Sequence, residues 1–162
     1  MRQHLLGRTP RLTLYFCGLA VGLSLLVAGI EAARLSVGGG TPGFGWPAVA
    51  AGTAGGLVLA FVAGYLNGGL LASWACGLVP TAGRLGVPLA EGTWLDVAVT
   101  LVGSAGYGVL LGAAGFVVAV EKHRRDARTA DLPAPPSRAA VVGLTVLSGV
   151  LGAILVGFGA VL

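Results

Sequence analysis

WPAVAAGTAGGLVLAFVAGYLNGGLLASWACGLVP, residues 46–80, runs for 35 residues without a charged side chain. As one straight helix it would be about 52 Å long, far more than the roughly 30 Å hydrocarbon core of a bilayer demands. Asn67, Gly68 and Gly69 interrupt it. An asparagine followed by two glycines supplies the left-handed residue that closes one helix and lets the chain reverse. The stretch therefore reads as a helical hairpin. Its first arm, residues 47–66, is long enough to cross. Its second, residues 69–83, gives only about 22 Å before Arg84, with Pro80 bending its end, and is a short span or a re-entrant segment.

Three further apolar blocks flank the hairpin, at residues 12–31, 94–120 and 139–162. Together they predict an all-α fold: a polytopic transmembrane helical bundle of five spans, forming a single integral membrane domain over residues 1–162. A four-span layout is the alternative if the hairpin is one tilted helix. Composition points to the same solvent. Hydrophobic residues are 56% and charged residues 10% of the chain, against about 25% charged in an ordinary soluble domain, and mean hydropathy is +0.90. Arg2, Arg8 and Arg11 ahead of Leu12–Ile30 give the amino terminus the look of a signal peptide. The apolar run is about 19 residues, longer than the usual 7–15, and reads as an uncleaved first span.

Lysine and arginine near span ends are retained on the cytoplasmic side, so charge counting orients the bundle. With five spans and a cytoplasmic amino terminus, Arg2, Arg8, Arg11, Lys122, Arg124, Arg125, Arg128 and Arg138 lie inside, and only Arg34 and Arg84 lie outside. That is eight against two. Four spans give four inside and six outside, or six and four with the chain inverted. The expectation is a multi-pass cell-membrane protein with its carboxyl terminus external. Trp46 and Trp94 begin the second and fourth spans and fall at the outer interface, where tryptophan is favoured. Trp74, inside the short arm, departs from that pattern and reads either as a packed or lipid-facing residue or as a gate.

Several chemistries are poorly served by this sequence. Ion-coupled transport uses ionisable groups in mid-span, whereas Glu31, Glu91 and Asp96 fall near span ends and Arg84 can snorkel to the interface. Ser73, Ser104 and Ser148 lie in spans, but the two histidines, His4 and His123, lie on the cytoplasmic flanks, and a lone His123 among charges reads as solvated. No nucleophile is matched to a base at one depth, so no catalytic, cofactor-binding or metal-binding residue is assigned and an enzyme is not expected. Cys17 and Cys76 read as small buried hydrophobes. The glycine-rich stretch at residues 35–46 lacks the Gly-Lys-Ser/Thr ending of a phosphate loop. Thr93 and Asp96 have capping-box spacing. The formal charge of +4 is concentrated in clusters beside apolar runs, with no basic face carrying aromatics, so nucleic acid is not an expected partner.

Glycines and serines recur at four-residue intervals within the spans: Gly18 with Gly22, Gly52 with Gly56, Gly64 with Gly68, Gly108 with Gly112, and Ser148 with Gly152. Small residues at that spacing let helix backbones approach closely in lipid. With nearly every helix carrying such a face, some are candidates for contacts between protomers or with a larger membrane complex. The cytoplasmic segment at residues 121–138, EKHRRDARTADLPAPPSR, reads as a retention signal and a stiff linker. Its alternative is a site for anionic lipid or a partner, held by Lys122, Arg124, Arg125 and Arg128.

GYLNGGLLASWACGLVP, residues 64–80, resembles a segment of small uncharacterised multi-span membrane proteins of halophilic archaea. In those proteins an acidic residue often follows the asparagine, where this chain has Gly68. The resemblance implies a membrane location and carries no activity with it. The leading expectation is a structural, assembly or accessory component of the cell membrane. The alternative is a small-solute transporter or channel, as a homo-oligomer or alone, with Asn67, Ser73, Trp74 and Arg84 lining a pathway at the broken helix.

Overall fold

The structure is a computed structural model that describes residues 2–38, 46–130 and 132–161, with side chains from His4 and from Val49 onward in the first two stretches. Most of the glycine-rich stretch at 35–46, including Gly39, lies outside these residues, as does the side chain of Trp46.

The described elements are all helical: α1 (Arg2–Leu6), α2 (Pro10–Gly38), α3 (Trp46–Asn67), α4 (Leu70–Leu78), a 3₁₀ segment (Val79–Leu85), α5 (Gly86–Glu91), α6 (Trp94–Asp126) and α7 (Arg138–Val161). Five stretches are long and apolar enough to cross a bilayer, and one of them is the composite Leu70–Glu91. The short arm expected at 69–83 therefore runs on. Pro80 does not end it, because the chain tightens into a 3₁₀ segment in which Pro80 sits near the first position, where a missing N–H costs little. At 22 residues the arm reaches about 33 Å if fully α-helical, and more where it tightens into 3₁₀. The first and fourth helices likewise outrun the expected 12–31 and 94–120, because polar turns continue them at one end.

The composite third arm and α6 form the enclosed centre, with α3 and α7 packed on α6 and α2 packed along α4, the 3₁₀ segment and α5. What holds the centre together is backbone proximity. A Cβ added at Gly77 would collide with the Gly108 carbonyl and lie 2.8 Å from Gly112 N, and one at Gly112 would meet Trp74 Cα at 2.5 Å. On the other side of α6, a Cβ at Gly106 would lie 2.8 Å from Gly152 O, and one at Gly159 would lie 2.5 Å from Gly103 Cα. In lipid no hydrophobic force drives helices together, so such close dispersion contacts supply much of the association energy. Apolar side chains fill the remaining space in two clusters: Phe16 and Ala20 against Ala60, Ala63, Ala72 and Cys76, and Leu70, Phe116, Val120 and Leu144 against Trp74.

The outward faces are apolar on every long helix, with Leu14, Leu25, Ile30, Val58, Leu101, Val118, Ile154 and Phe158 all exposed. A water-soluble monomer rarely exposes more than a few hundred Å² of contiguous apolar surface. This surface suits hydrocarbon.

Candidate functional site

Two polar regions lie at opposite ends of the bundle. The first is organised by Asn67, which is fully buried. Gly68 after it takes φ +65°, and Gly7, between α1 and α2, takes φ +81°. The two glycine turns sit against one another, so closely that a Cβ on Gly69 would lie 2.9 Å from Gly7 N. Asn67 bonds both sides of the break: its Oδ1 accepts from Thr9 N at 2.9 Å, its Nδ2 donates to Thr13 Oγ1 at 2.6 Å, and its carbonyl accepts from Arg8 N at 2.7 Å. The Thr13 hydroxyl donates onward to the Leu6 carbonyl. Backbone groups freed by an interrupted helix at membrane depth need such partners.

Around this turn, the end of α6 and the segment after it form a bonded layer. Arg8 donates to His123 Nε2 at 2.8 Å, and the Pro133 carbonyl stands 2.9 Å from that same nitrogen. One ring nitrogen cannot accept from arginine and donate to a carbonyl together, so the two contacts belong to alternative proton placements. His123 is only 5% exposed and meets the Tyr65 ring edge-on. This corrects the expectation of a solvated histidine: the returning segment covers it. Arg124 donates to Glu121 at 3.1 Å and to the Pro136 carbonyl at 3.0 Å. Asp126 accepts from Lys122 at 2.5 and 2.6 Å and from the Tyr65 hydroxyl at 2.7 Å. These residues project beyond the apolar part of α6, where the Lys122 bond first, and then Tyr65, hold the Asp126 carboxyl below the usual carboxylate range. Arg125 lies 3.5 Å from Glu121. Of the four cations considered for lipid or partner contact, Lys122, Arg124 and Arg125 are thus matched locally. Arg128 is exposed and makes no ion pair among the described residues.

In mid-span, Ser73 is buried and donates to the Ala60 carbonyl at 2.9 Å, tying α4 to α3. Trp74 donates to Ser148 Oγ at 3.2 Å, and Ser148 donates to the Leu144 carbonyl at 2.7 Å, tying α4 to α7. Trp74 is a packed residue with a polar partner. Asn67, Ser73 and Trp74 each fasten a different pair of elements.

The fourth pathway candidate, Arg84, belongs to the other end. Its guanidinium lies 5.0 Å from the Tyr107 ring centroid, and it lines an open cleft of ≈ 640 Å³ with Glu91, Asp96, Thr100 and Ser104. Gly103 and Gly159, the glycines that bring α6 against α7, also line the cleft. Thr93 and Asp96 form the capping box, with Asp96 Oδ2 accepting from Thr93 N at 2.7 Å. A second, apolar groove of ≈ 290 Å³ lies between α2, the composite third arm and α6, and Ser104 lines both it and the cleft. Ser24 Oγ, buried on that groove, has no hydrogen-bond partner among the described residues.

Glu31 is the residue whose setting the sequence least suggested. It is fully buried, accepts from Arg34 at 2.7 and 2.8 Å, and its Cγ lies 2.5 Å from where a Cβ on Gly86 would stand. The three-residue spacing to Arg34 is a helix-surface pairing signal, but burial under α5 depends on the third arm continuing past Arg84. Thr13 was similarly hidden. Gly7, Thr9 and Pro10 together carry the stop-and-restart signals of two helices, and these were the available clue to the break that Thr13 and Asn67 fasten. Among the described residues no three His, Cys, Asp or Glu side chains gather for a metal ion.

Compared with protein-family models, curated proteins and solved structures, the chain matches none of them.

Proposed function

We propose that the protein is a structural, assembly or accessory component of the cell membrane, with its amino terminus cytoplasmic and its carboxyl terminus external, and that it acts by docking a neighbouring membrane helix. One contrast among its glycines carries this reading. Most glycines facing inward meet another backbone or side chain, whereas Gly38, Gly55, Gly143, Gly149 and Gly157 meet nothing within 4 Å, and neither do Gly18, Gly22 and Gly29 of α2. Their spacing puts all three within about 40° of one helical face. A narrow small-residue face left open to lipid is the surface on which a second helix gains close contact. The docked helix comes from a second copy of the chain or from a larger membrane complex. The buried polar residues Asn67, Ser73 and Ser148 support the same reading, since each is already committed to an internal bond.

The test is recovery of the tagged protein in mild detergent, followed by mass measurement of the assembly. The reading expects one defined larger species that a Gly18→Leu/Gly22→Leu double change reduces to the monomer without altering its melting. A monomer throughout would contradict it.

A second reading, passage of a small solute, is favoured by the cleft that descends α6 from Asp96 to Ser104, about 12 Å along the helix. Opposing it, the Gly77, Gly108 and Gly112 contact closes the centre beneath that cleft. Solute flux into liposomes that disappears with Thr100→Val would favour passage over docking.

A further inference from the structure

The cleft and the groove share an end of the bundle, share Ser104, and differ completely in character. The cleft carries charge of both signs: Arg84 on one side, and Glu91 and Asp96 on the others. None of the three makes an ion pair with another described residue. Asp96 uses Oδ2 for the capping box and leaves Oδ1 without a bond among the described residues. The groove is hydrocarbon-lined, with Val21, Leu25, Leu89 and Leu101 on its walls and Ser24 and Ser104 as its polar side chains. Along the third arm the charged cleft takes the end, from Arg84 to Gly92, and the apolar groove reaches deeper, from Leu89 back to Ala75. That is the order in which a lipid presents its headgroup and its chains.

We propose that this end of the bundle holds one phospholipid with an amine-bearing headgroup. Its phosphate meets Arg84, its amine lies toward Glu91 and Asp96, and one chain descends the groove along α2. Charge complementarity selects this occupant. A headgroup with only a phosphate would satisfy Arg84 and face two carboxylates, and an uncharged one would offer no partner to any of the three charges. The cleft volume of ≈ 640 Å³ falls within the roughly 300–1,000 Å³ of ordinary ligand sites. The guanidinium is also held in place: its seat over Tyr107 fixes a side chain that would otherwise be mobile at the interface.

The experiment reconstitutes the full chain with equal amounts of phosphatidylethanolamine, phosphatidylglycerol and diacylglycerol of the same chains, and weighs the lipid retained on the gently released protein. Expected is retention of phosphatidylethanolamine about tenfold above diacylglycerol, with phosphatidylglycerol between them; tenfold corresponds to about 1.4 kcal/mol. Arg84→Gln should bring both phospholipids down to the diacylglycerol level, and Arg84→Lys should keep the order. Glu91→Gln, at an exposed helix end, should bring phosphatidylethanolamine down to phosphatidylglycerol while melting stays unchanged. Val21→Trp, which fills the groove from an exposed position, should reduce all three. Equal retention of the three lipids by the unaltered protein, meaning annular lipid only, would overturn the proposal. So would a preference that survives both Arg84→Gln and Glu91→Gln, or displacement by chain-free glycerophosphoethanolamine as effective as by the lipid.

Discussion

The Asn67 side-chain amide donates to the Thr13 hydroxyl at 2.6 Å, joining two buried residues 54 positions apart. This bond and its neighbours fasten the reversal between the second and third spans to the break that precedes the first. Two irregular stretches of backbone thereby satisfy each other. Their polar groups would otherwise require water or a cavity.

Asn67→Ala removes an acceptor from Thr9 N and a donor to Thr13 in a buried setting. The expected cost is about 1–3 kcal/mol, read as a lowered melting temperature in detergent together with faster proteolysis near Gly7. Unchanged melting would show that the turn does not depend on these bonds.

Gly112→Val places side-chain carbons where Ser73 and Trp74 backbone atoms already stand. Overpacking of this kind costs typically about 1–3 kcal/mol, occasionally more, and here the obstruction is backbone, so loss of the folded species is expected. Gly22→Val, with nothing within 4 Å, should leave the monomer's melting within about 0.5 kcal/mol of the original. Equal effects of the two changes in monomer melting would contradict the arrangement of α4 against α6.

Arg124→Ala removes the donor to the Pro136 carbonyl and the partner of Glu121. The segment after α6 should then be released from its seat over His123, and cleavage by trypsin at the exposed Arg128 should accelerate several-fold. An unchanged digestion rate would show that the segment is held by other contacts.

Asp126 titrates below the ordinary carboxylate range because Lys122 and then Tyr65 bond its charged form. A carboxyl whose pKa is depressed on folding stabilises the fold above its unfolded value, about 3.9, and loses that contribution as pH falls through the folded value. The melting difference between the unaltered protein and Asp126→Asn should therefore be constant across the neutral range and shrink only below about pH 4. A difference that faded between pH 8 and 6 would contradict the assignment.

The helical bundle was legible because composition and block length respond to the solvent as a whole, and the Asn67-Gly68-Gly69 turn was legible because a left-handed residue has few alternatives to glycine. The reach of the third arm was hidden: Pro80 reads as bending the arm's end and Arg84 as closing it, yet a 3₁₀ segment carries the chain through both. That one difference places Arg84 short of the arm's end at Glu91 and brings Gly86 over Glu31. The roles of Asn67, Ser73 and Trp74 were also hidden, since a polar residue in a span reads alike whether it faces a pathway or a partner. The partners found for them, Thr13, Ala60 and Ser148, are each distant in sequence or on another helix.

The account depends on five crossings, and single-cysteine labelling in intact cells tests that number most directly. With an impermeant thiol reagent, Glu91→Cys, at the exposed end of α5 before the turn into α6, should react from outside. Thr129→Cys, in the exposed turn after α6, should react only once the membrane is opened. Labelling of both positions from the same side would mean that α6 does not cross and that the five-span bundle is wrong.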